Sequence, residues 1–479
     1  MSTIDMIIVL AYMVGMFIIG LIARSEIKDM DDFILGGKRF GTFSLTATLM
    51  ATLTGAGMTI GIAGSVVNMG ASAIWTYIGF AIGLFATVYF APIIRATNKR
   101  SLAEIIAGEF GSTPRVIVAL FSAIYVMGSA CMCLTGMGRM ISYIGEPWGI
   151  SITTGVIITT IIAVVYTAMG GLYAVVWTDV VQFIIMFIGI ILVGPILAIV
   201  KSGGIVNLAN SLAAKDLSLV NPFVGSPISS IISITLIYFL SVPGDPTVPQ
   251  RILAAKDVKS TQKALNYTGV AAILYGIGIL IIGAASGYLL PNIAAEYGTA
   301  EAAFPIFILR FFPPVIRGFT IAALIAAIMS TTDSMILVAA TSLVYDIGSV
   351  IFPDVNEDKF KKAMPIAVIA LGGIGLFVAL RISSLLSALY FIFSLVSSAF
   401  IFPLLATLYW KRATKWGITS SLLGGGICCI VMFAVGYMGP GGDPVFLSML
   451  VSFVSLVVAT YLTGGAQTER VLIKVEPEE

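Results

Sequence analysis

Apolar residues recur along this chain in thirteen runs, each long enough to cross a hydrocarbon core of about 30 Å. They fall at 4–24, 42–68, 71–95, 114–144, 149–169, 174–200, 226–250, 264–290, 315–345, 363–381, 383–409, 415–437 and 443–463. Polar segments separate them. The pattern predicts an all-α polytopic membrane protein of about 13 transmembrane helices. The first run does not read as a cleaved leader, because the preceding MSTID has no basic residue and no small-residue cleavage site follows.

Two runs are interrupted near their middles. One reads Ala51-Thr52-Leu53-Thr54-Gly55-Ala56-Gly57-Met58-Thr59-Ile60-Gly61, the other Ser241-Val242-Pro243-Gly244-Asp245-Pro246-Thr247-Val248-Pro249. Broken backbone at membrane depth is tolerated only where it is buried in protein or lines a cavity. Paired breaks in corresponding halves point to a binding site between inverted repeats, and these breaks lie five spans apart. For the first break, the glycines serve equally as points of close helix packing. At the second, three prolines and an aspartate favour unwinding.

The run 321–337 carries a cluster of oxygen atoms inside an apolar helix. Ala327, Ser330, Thr331 and Ser334 recur at i, i+3, i+4 and i+7 and share one face, with Asp333 beside them. Hydroxyls and one carboxylate, without nitrogen or sulfur donors, suit a hard cation. In a bilayer such groups are costly unless they face a cavity or bind something.

Composition supports the membrane reading: 58% of residues are hydrophobic and only 10% charged, against about 25% charged in soluble domains. Charge then sets orientation. With the N-terminus outside, Arg24, Lys28, Lys38, Arg39, Arg95, Lys99, Arg100 and Arg115 fall in cytoplasmic loops. So do Arg251, Lys256, Lys259, Lys263, Lys359, Lys361, Lys362, Lys411, Arg412, Lys415, Arg470 and Lys474. The C-terminus is then cytoplasmic. The spread of these charges argues against a nucleic-acid surface. Cys131, Cys133, Cys428 and Cys429 all lie in apolar runs, and the chain has no histidine. They read as packing residues rather than a zinc site. No glycine-rich loop ending in Lys-Ser or Lys-Thr appears, so ATP-driven pumping is not expected.

Four segments resemble signatures of the sodium:solute symporter family. They are Gly170-Gly171-Leu172-Tyr173-Ala174-Val175-Val176-Trp177-Thr178-Asp179-Val180-Val181-Gln182, Gln250-Arg251-Ile252-Leu253-Ala254-Ala255-Lys256, Ala326-Ala327-Ile328-Met329-Ser330-Thr331-Thr332-Asp333-Ser334 and Trp410-Lys411-Arg412-Ala413-Thr414-Lys415-Trp416-Gly417. The resemblance implies a leucine-transporter-type core of five plus five helices with the first and sixth core helices broken. The chain 1–479 is then one transporter domain. An extra N-terminal helix (4–24) precedes repeats at 42–200 and 226–409. Two further helices (415–463) and a cytoplasmic tail (464–479) follow them.

Carried over by motif, the family's common sodium site falls on the carbonyls of Ala51, Thr54 and Ala327 and the hydroxyls of Ser330 and Thr331. A second sodium site, present in some members, would use Asp179, Ser330, Asp333 and Ser334. Asp333 stands where some members carry serine, so this second position could instead hold a proton. The resemblance implies uptake of a small organic solute with sodium as the co-transported ion across the cell membrane. No obligatory protein partner is evident.

The solute is expected beside the sodium, between the broken helices. Thr54, Met58 and Thr59 are the candidates from the first break. Trp75 and Tyr77, two apart, point to different faces, so at most one of them lines the pocket. Tyr390 lies, with Phe391 and Phe393, where an external gate would close. Asp245 stands where sugar and proline carriers of the family place an amide. It either pairs with a cationic group of the solute or caps the following half-helix, and both roles stay open. A channel, an embedded enzyme and a non-translocating sensor rank below symport: polar residues concentrate at mid-span, no nucleophile–base motif is present, and no signalling domain is appended.

Overall fold

The computed structural model describes residues 1–24, 29–437 and 444–464. Lys28, Arg470, Lys474 and the expected tail beyond 464 lie outside them. Among the described residues the protein is helical throughout, with one isolated bridge joining Phe40 and Ala255. Its helices include α1 (Thr3–Arg24), α2 (Thr42–Leu53), α3 (Ile62–Met69), α4 (Ile74–Ala96), α5 (Ser112–Ile144) and α6 (Ile152–Met186). They continue with α7 (Ile228–Gly244), α8 (Thr247–Ala254), α9 (Val258–Leu289), α10 (Ile316–Ala340), α11 (Glu357–Ala379), α12 (Leu385–Tyr409), α13 (Lys415–Ala434) and α14 (Val445–Leu462).

Among the described residues, ten helices are long and apolar enough to cross a membrane, or eleven if α7 and α8 form one span bent by 44°. Thirteen is therefore not the number that helix length and apolarity return. The expected run 42–68 is divided at its break, leaving α2 short, and the run 149–169 contributes only Ile152–Val165. The stretch Gly57–Ala96 is one apolar helical segment by these measures. It turns at Gly70, whose φ of 59° a side chain would resist.

Polar side chains set where helices begin. Ser151 accepts from the Thr154 amide, Asp257 from Ser260, Ser384 from Ser387 and Thr414 from Gly417. Each satisfies one of the four orphan amides of a first turn. Within α6, Gly171 breaks the helical path at φ 51°, ψ −169°, so two helical segments meet there at a kink. A Cβ there would lie 3.0 Å from Phe33.

Contacts between distant segments define two ends of the bundle. At the N-terminal end, Asp5 of α1 binds Arg317 at 2.7 Å and accepts from the amides of Val315 and Gly318 at the start of α10. There too Arg139 of α5 pairs with Glu301, in the loop between α9 and α10, and both are nearly buried. At the other end, Arg95 donates to the carbonyls of Ala255 and Lys256, and Arg100 pairs with Asp31 and Glu357. The centre of the assembly is α10. Every residue of its most apolar window is buried, whereas only 22% of the equivalent window in α1 is. A helix so completely enclosed can carry polar groups because protein, not lipid, surrounds them.

Candidate functional site

The first break begins where α2 ends. Thr54 leaves the helical path at φ −110°, ψ 38°, and a π-type turn over Gly57–Gly61 leads into α3. The unwinding frees carbonyls that a continuous helix would occupy. Ala51 is one of these. Its carbonyl accepts the hydroxyl of Ser330 at 2.8 Å and that of Thr331 at 3.2 Å, both from α10. The same two hydroxyls reach the carbonyl of Ala327 at 3.2 Å. Four of the five oxygens expected to hold sodium therefore meet. The fifth does not join these contacts: the Thr54 carbonyl accepts from the Thr59 hydroxyl at 2.7 Å.

Gly55 makes the approach possible. A Cβ there would lie 2.7 Å from Cys133 Sγ and 2.9 Å from Thr331 Oγ1. The first break is thus both unwound and closely packed. Thr59 continues to the Tyr275 hydroxyl at 2.6 Å, while the Tyr77 hydroxyl donates to the Met58 carbonyl. Met58, Thr59 and Tyr77 are all buried beside the break. Trp75 points elsewhere: its indole donates to the carbonyl of Pro222 at 2.9 Å and its ring packs edge-on against Phe223. Tyr390 is half-buried on α12.

The second break lies at Asp245 and Pro246, between α7 and α8. Asp245 Oδ1 accepts the amide and hydroxyl of Thr247 at 2.8 and 2.7 Å, and Oδ2 accepts the Tyr125 hydroxyl at 2.5 Å. Of the two roles left open, the carboxylate performs the capping one here. Its surroundings are aromatic. Phe393 lies 6.2 Å from the Tyr125 ring and 5.0 Å from the Tyr238 ring, centroid to centroid.

Arg251 corrects the sequence reading. The charge pattern places it in a cytoplasmic loop, yet it is 1% exposed and, among the described residues, one of the largest fully buried side chains. The turn supplied by Asp245 and Pro246 lets α8 continue inward, which carries the guanidinium into the core. Its Nη2 donates to Thr52 and Ser334 at 2.7 Å each, and its Nε to Thr48 at 3.3 Å. Thr48 in turn donates to Asp179 Oδ2 at 2.6 Å. Thr48, Thr52 and Arg251 were missed. The i, i+4 threonines preceding the break were the available signal, as was an arginine only six residues past a mid-span aspartate.

Asp333 turns toward α6, where Thr167 donates to its Oδ1 at 3.0 Å. Asp333 Oδ2 and Asp179 Oδ1 are buried, with no hydrogen-bond donor among the described residues. Among the described residues no group of three His, Cys, Asp or Glu is arranged to hold a metal ion. The donor set is one of hydroxyls and carbonyls, the chemistry of an alkali cation rather than a transition metal.

Two broken helices meeting a polar helix with a buried centre are the arrangement in which secondary transporters place their binding sites. Comparison with known proteins agrees. A profile of the sodium:solute symporter family matches residues 33–425. The chain is 29% identical to the high-affinity proline transporter PutP of Bacillus subtilis, covering 95% of this chain and 98% of that one. It is 27% identical to the osmoregulated proline transporter OpuE of the same organism, over 94% and 93%. Among solved structures, a Na+-coupled sialic acid symporter in a substrate-bound, outward-open state shares the fold with a TM-score of 0.81 at 20% identity. That alignment covers 98% of this chain and 100% of that one.

The chain belongs to the sodium:solute symporter family. It is a multi-pass membrane transporter, not an enzyme, and sodium is its co-transported ion.

Proposed function

We propose that this protein couples inward sodium movement to uptake of a small organic solute by alternating access, with the ion held by Ala51, Ala327, Ser330 and Thr331. The observation that carries the site is the meeting of two α10 hydroxyls with the carbonyl of Ala51 at the first break. Each hydroxyl now donates to a carbonyl. Turning both hydrogens away would present their lone pairs and release the carbonyls, giving four oxygens for one ion. Thr54 completes the set if its carbonyl is released by Thr59.

Such an ion would tie α2 to α10, so its arrival and departure bias how the broken helices sit against the rest of the bundle. One charge crossing 100 mV contributes about 2.3 kcal/mol to accumulation. The solute would lie between the breaks, with Met58, Thr59, Tyr77, Tyr125, Asp245 and Phe393 as neighbours. Basic residues including Arg39, Arg95, Arg100 and Lys256 gather at the end opposite Asp5 and Glu301, which supports an outside N-terminus and a cytoplasmic C-terminus.

A proton-coupled version of the same carrier is a second reading. The two donorless carboxylate oxygens of Asp179 and Asp333 favour it.

The test is thermal stability of the purified protein across a solute panel, in sodium and in sodium-free potassium buffer. Proline leads the panel because of the relatives' names, followed by pantothenate, betaine, amines, monocarboxylates, nucleobases and sugars. A solute that stabilises only with sodium present supports the reading and names the substrate. Equal stabilisation without sodium shifts it to protons.

A further inference from the structure

A groove of about 260 Å³ lies between α1, α5 and α6, and none of its lining residues belongs to either break. Met6, Val9 and Met13 line it from α1, Ile141 from α5 and Ile162 from α6. Its floor includes Met137 of α5 and Ile325 of α10, both 3% exposed. Among the described lining residues Thr159 has the one side-chain hydroxyl, and it donates to the Val156 carbonyl at 2.9 Å. At the mouth stand Leu10 and Trp148, 57% and 58% exposed. Leu10 also belongs to the outward face of α1, with exposed Ile7, Val14 and Ile18. In a membrane-spanning helix that face is covered by lipid, so the groove opens directly onto the hydrocarbon. Ile150 lines both the groove and a polar recess that carries Arg139, Glu146 and Thr299. Together with Trp148, this sets the mouth where apolar surface gives way to polar, the headgroup level of a bilayer.

We propose that this groove binds one acyl chain of a phospholipid from the leaflet at the N-terminal end of α1. The chemistry of the lining selects the occupant. Water needs two to four polar partners to be held, and these walls do not supply them. Apolar space of about 150 Å³ already suffices to bind a small hydrocarbon. An alkyl chain brings dispersion contacts along its whole length, the interaction that joins helices inside a bilayer. Met1, Met6, Met13 and Met137 add flexible side chains that adapt to a chain of irregular path. The bound chain would serve as packing between α1, which is otherwise turned mostly to lipid, and the helices α5, α6 and α10. At the floor it reaches Ile325, two residues before Ala327, and Met137, one turn from Cys133. The lipid therefore rests on the two helices that pack around the first break, whatever ion or solute is bound there.

Photolabelling of the full-length protein tests the site. The protein is reconstituted in phosphatidylcholine vesicles in which part of the lipid carries a diazirine on its acyl chain, and labelled residues are mapped by mass spectrometry. Bulk lipid reaches Ile7, Val14 and Ile18 in any case, so they serve as the control. Label on buried Met137 and Ile325 is the expected result. Label confined to the exposed face overturns the proposal, and this first map needs no variant. Val9→Phe, which puts a ring into the groove, is expected to abolish labelling of Met137 and Ile325 and leave that of Ile7 and Val14 unchanged. Floor labelling that persists in a folded Val9→Phe protein also overturns it. Two further outcomes reject the choice of occupant: floor labelling by a photoactivatable sterol but not by the phospholipid, and crosslinks joining two copies of the chain through Met137 or Ile325.

Discussion

The hydroxyl of Ser330 and the carbonyl of Ala51, 279 positions apart in the chain, lie 2.8 Å from each other at the point where α2 unwinds. That contact fastens a broken helix to α10, whose most apolar window is entirely buried. Losing one oxygen from a four-oxygen site should cost roughly 1.4 kcal/mol or more of ion affinity, about tenfold. Ser330→Ala and Thr331→Ala are each expected to raise half-saturating sodium about tenfold, and the double variant further still. Sodium titration of binding or uptake measures it. An unchanged value in the double variant would sink the assignment.

Gly55→Ala removes no ligand, yet its new Cβ would sit 2.8 Å from Thr331 Cγ2 and 2.9 Å from Thr331 Oγ1. Overpacking of this kind costs about 1–3 kcal/mol. The expected outcome is a several-fold weaker sodium response with protein that still purifies as a folded monodisperse species. Sodium affinity equal to wild type would show that the close approach at Gly55 does not shape the ion site.

Asp245 and Tyr125 join α7–α8 to α5 through one 2.5 Å hydrogen bond. A bond to a charged acceptor contributes about 1.5–3 kcal/mol. Tyr125→Phe is expected to lower thermal stability by an amount that Asp245→Asn largely absorbs, since each removes the same charge-assisted bond. A thermodynamic double-mutant cycle reads the coupling, and strict additivity of the two would contradict it. If Asp245 also pairs with the solute, Asp245→Asn will weaken solute binding more than Tyr125→Phe does.

Arg139 and Glu301 close the end of the bundle that carries the N-terminus. Glu301 Oε1 accepts the amides of Leu385 and Leu386 at the start of α12, and Arg139 donates to the Ser383 carbonyl at 2.7 Å. Removing one partner of a buried pair typically costs about 3–5 kcal/mol. Arg139→Ala should therefore favour opening at this end of the bundle, exposing buried Cys133 to a membrane-impermeant thiol reagent. Faster labelling of Cys133 than in wild type, in a Cys428→Ser background, is the expected result. Equal rates would mean that this pair does not hold its end of the bundle shut.

Reading the pattern of residues went far in this protein because a bilayer leaves few choices. Backbone polar groups must be satisfied within each span, so apolar runs become helices and glycine–proline clusters mark breaks. The face Ala327, Ser330, Thr331 follows from helical period alone, and its convergence with Ala51 is what the family motif implies. Span counting went less far. The divided run at Thr54 and the bend at Gly171 depend on local backbone that hydropathy does not encode.

Charge was the least legible feature. Arg251 has the sequence context of a loop arginine, next to Lys256, Lys259 and Lys263, and only the turn at Asp245 and Pro246 decides that α8 points it into the core. The partners that make its burial tolerable, Thr48, Thr52 and Ser334, come from segments far away in the chain. Trp75 and Tyr77 show the same division. The sequence determined that they face apart, while the loop carrying Pro222 and Phe223 decided that Trp75 leaves the site. Periodicity is a property of neighbouring residues and can be read locally. Which distant hydroxyls and carbonyls share a cation is set by packing alone.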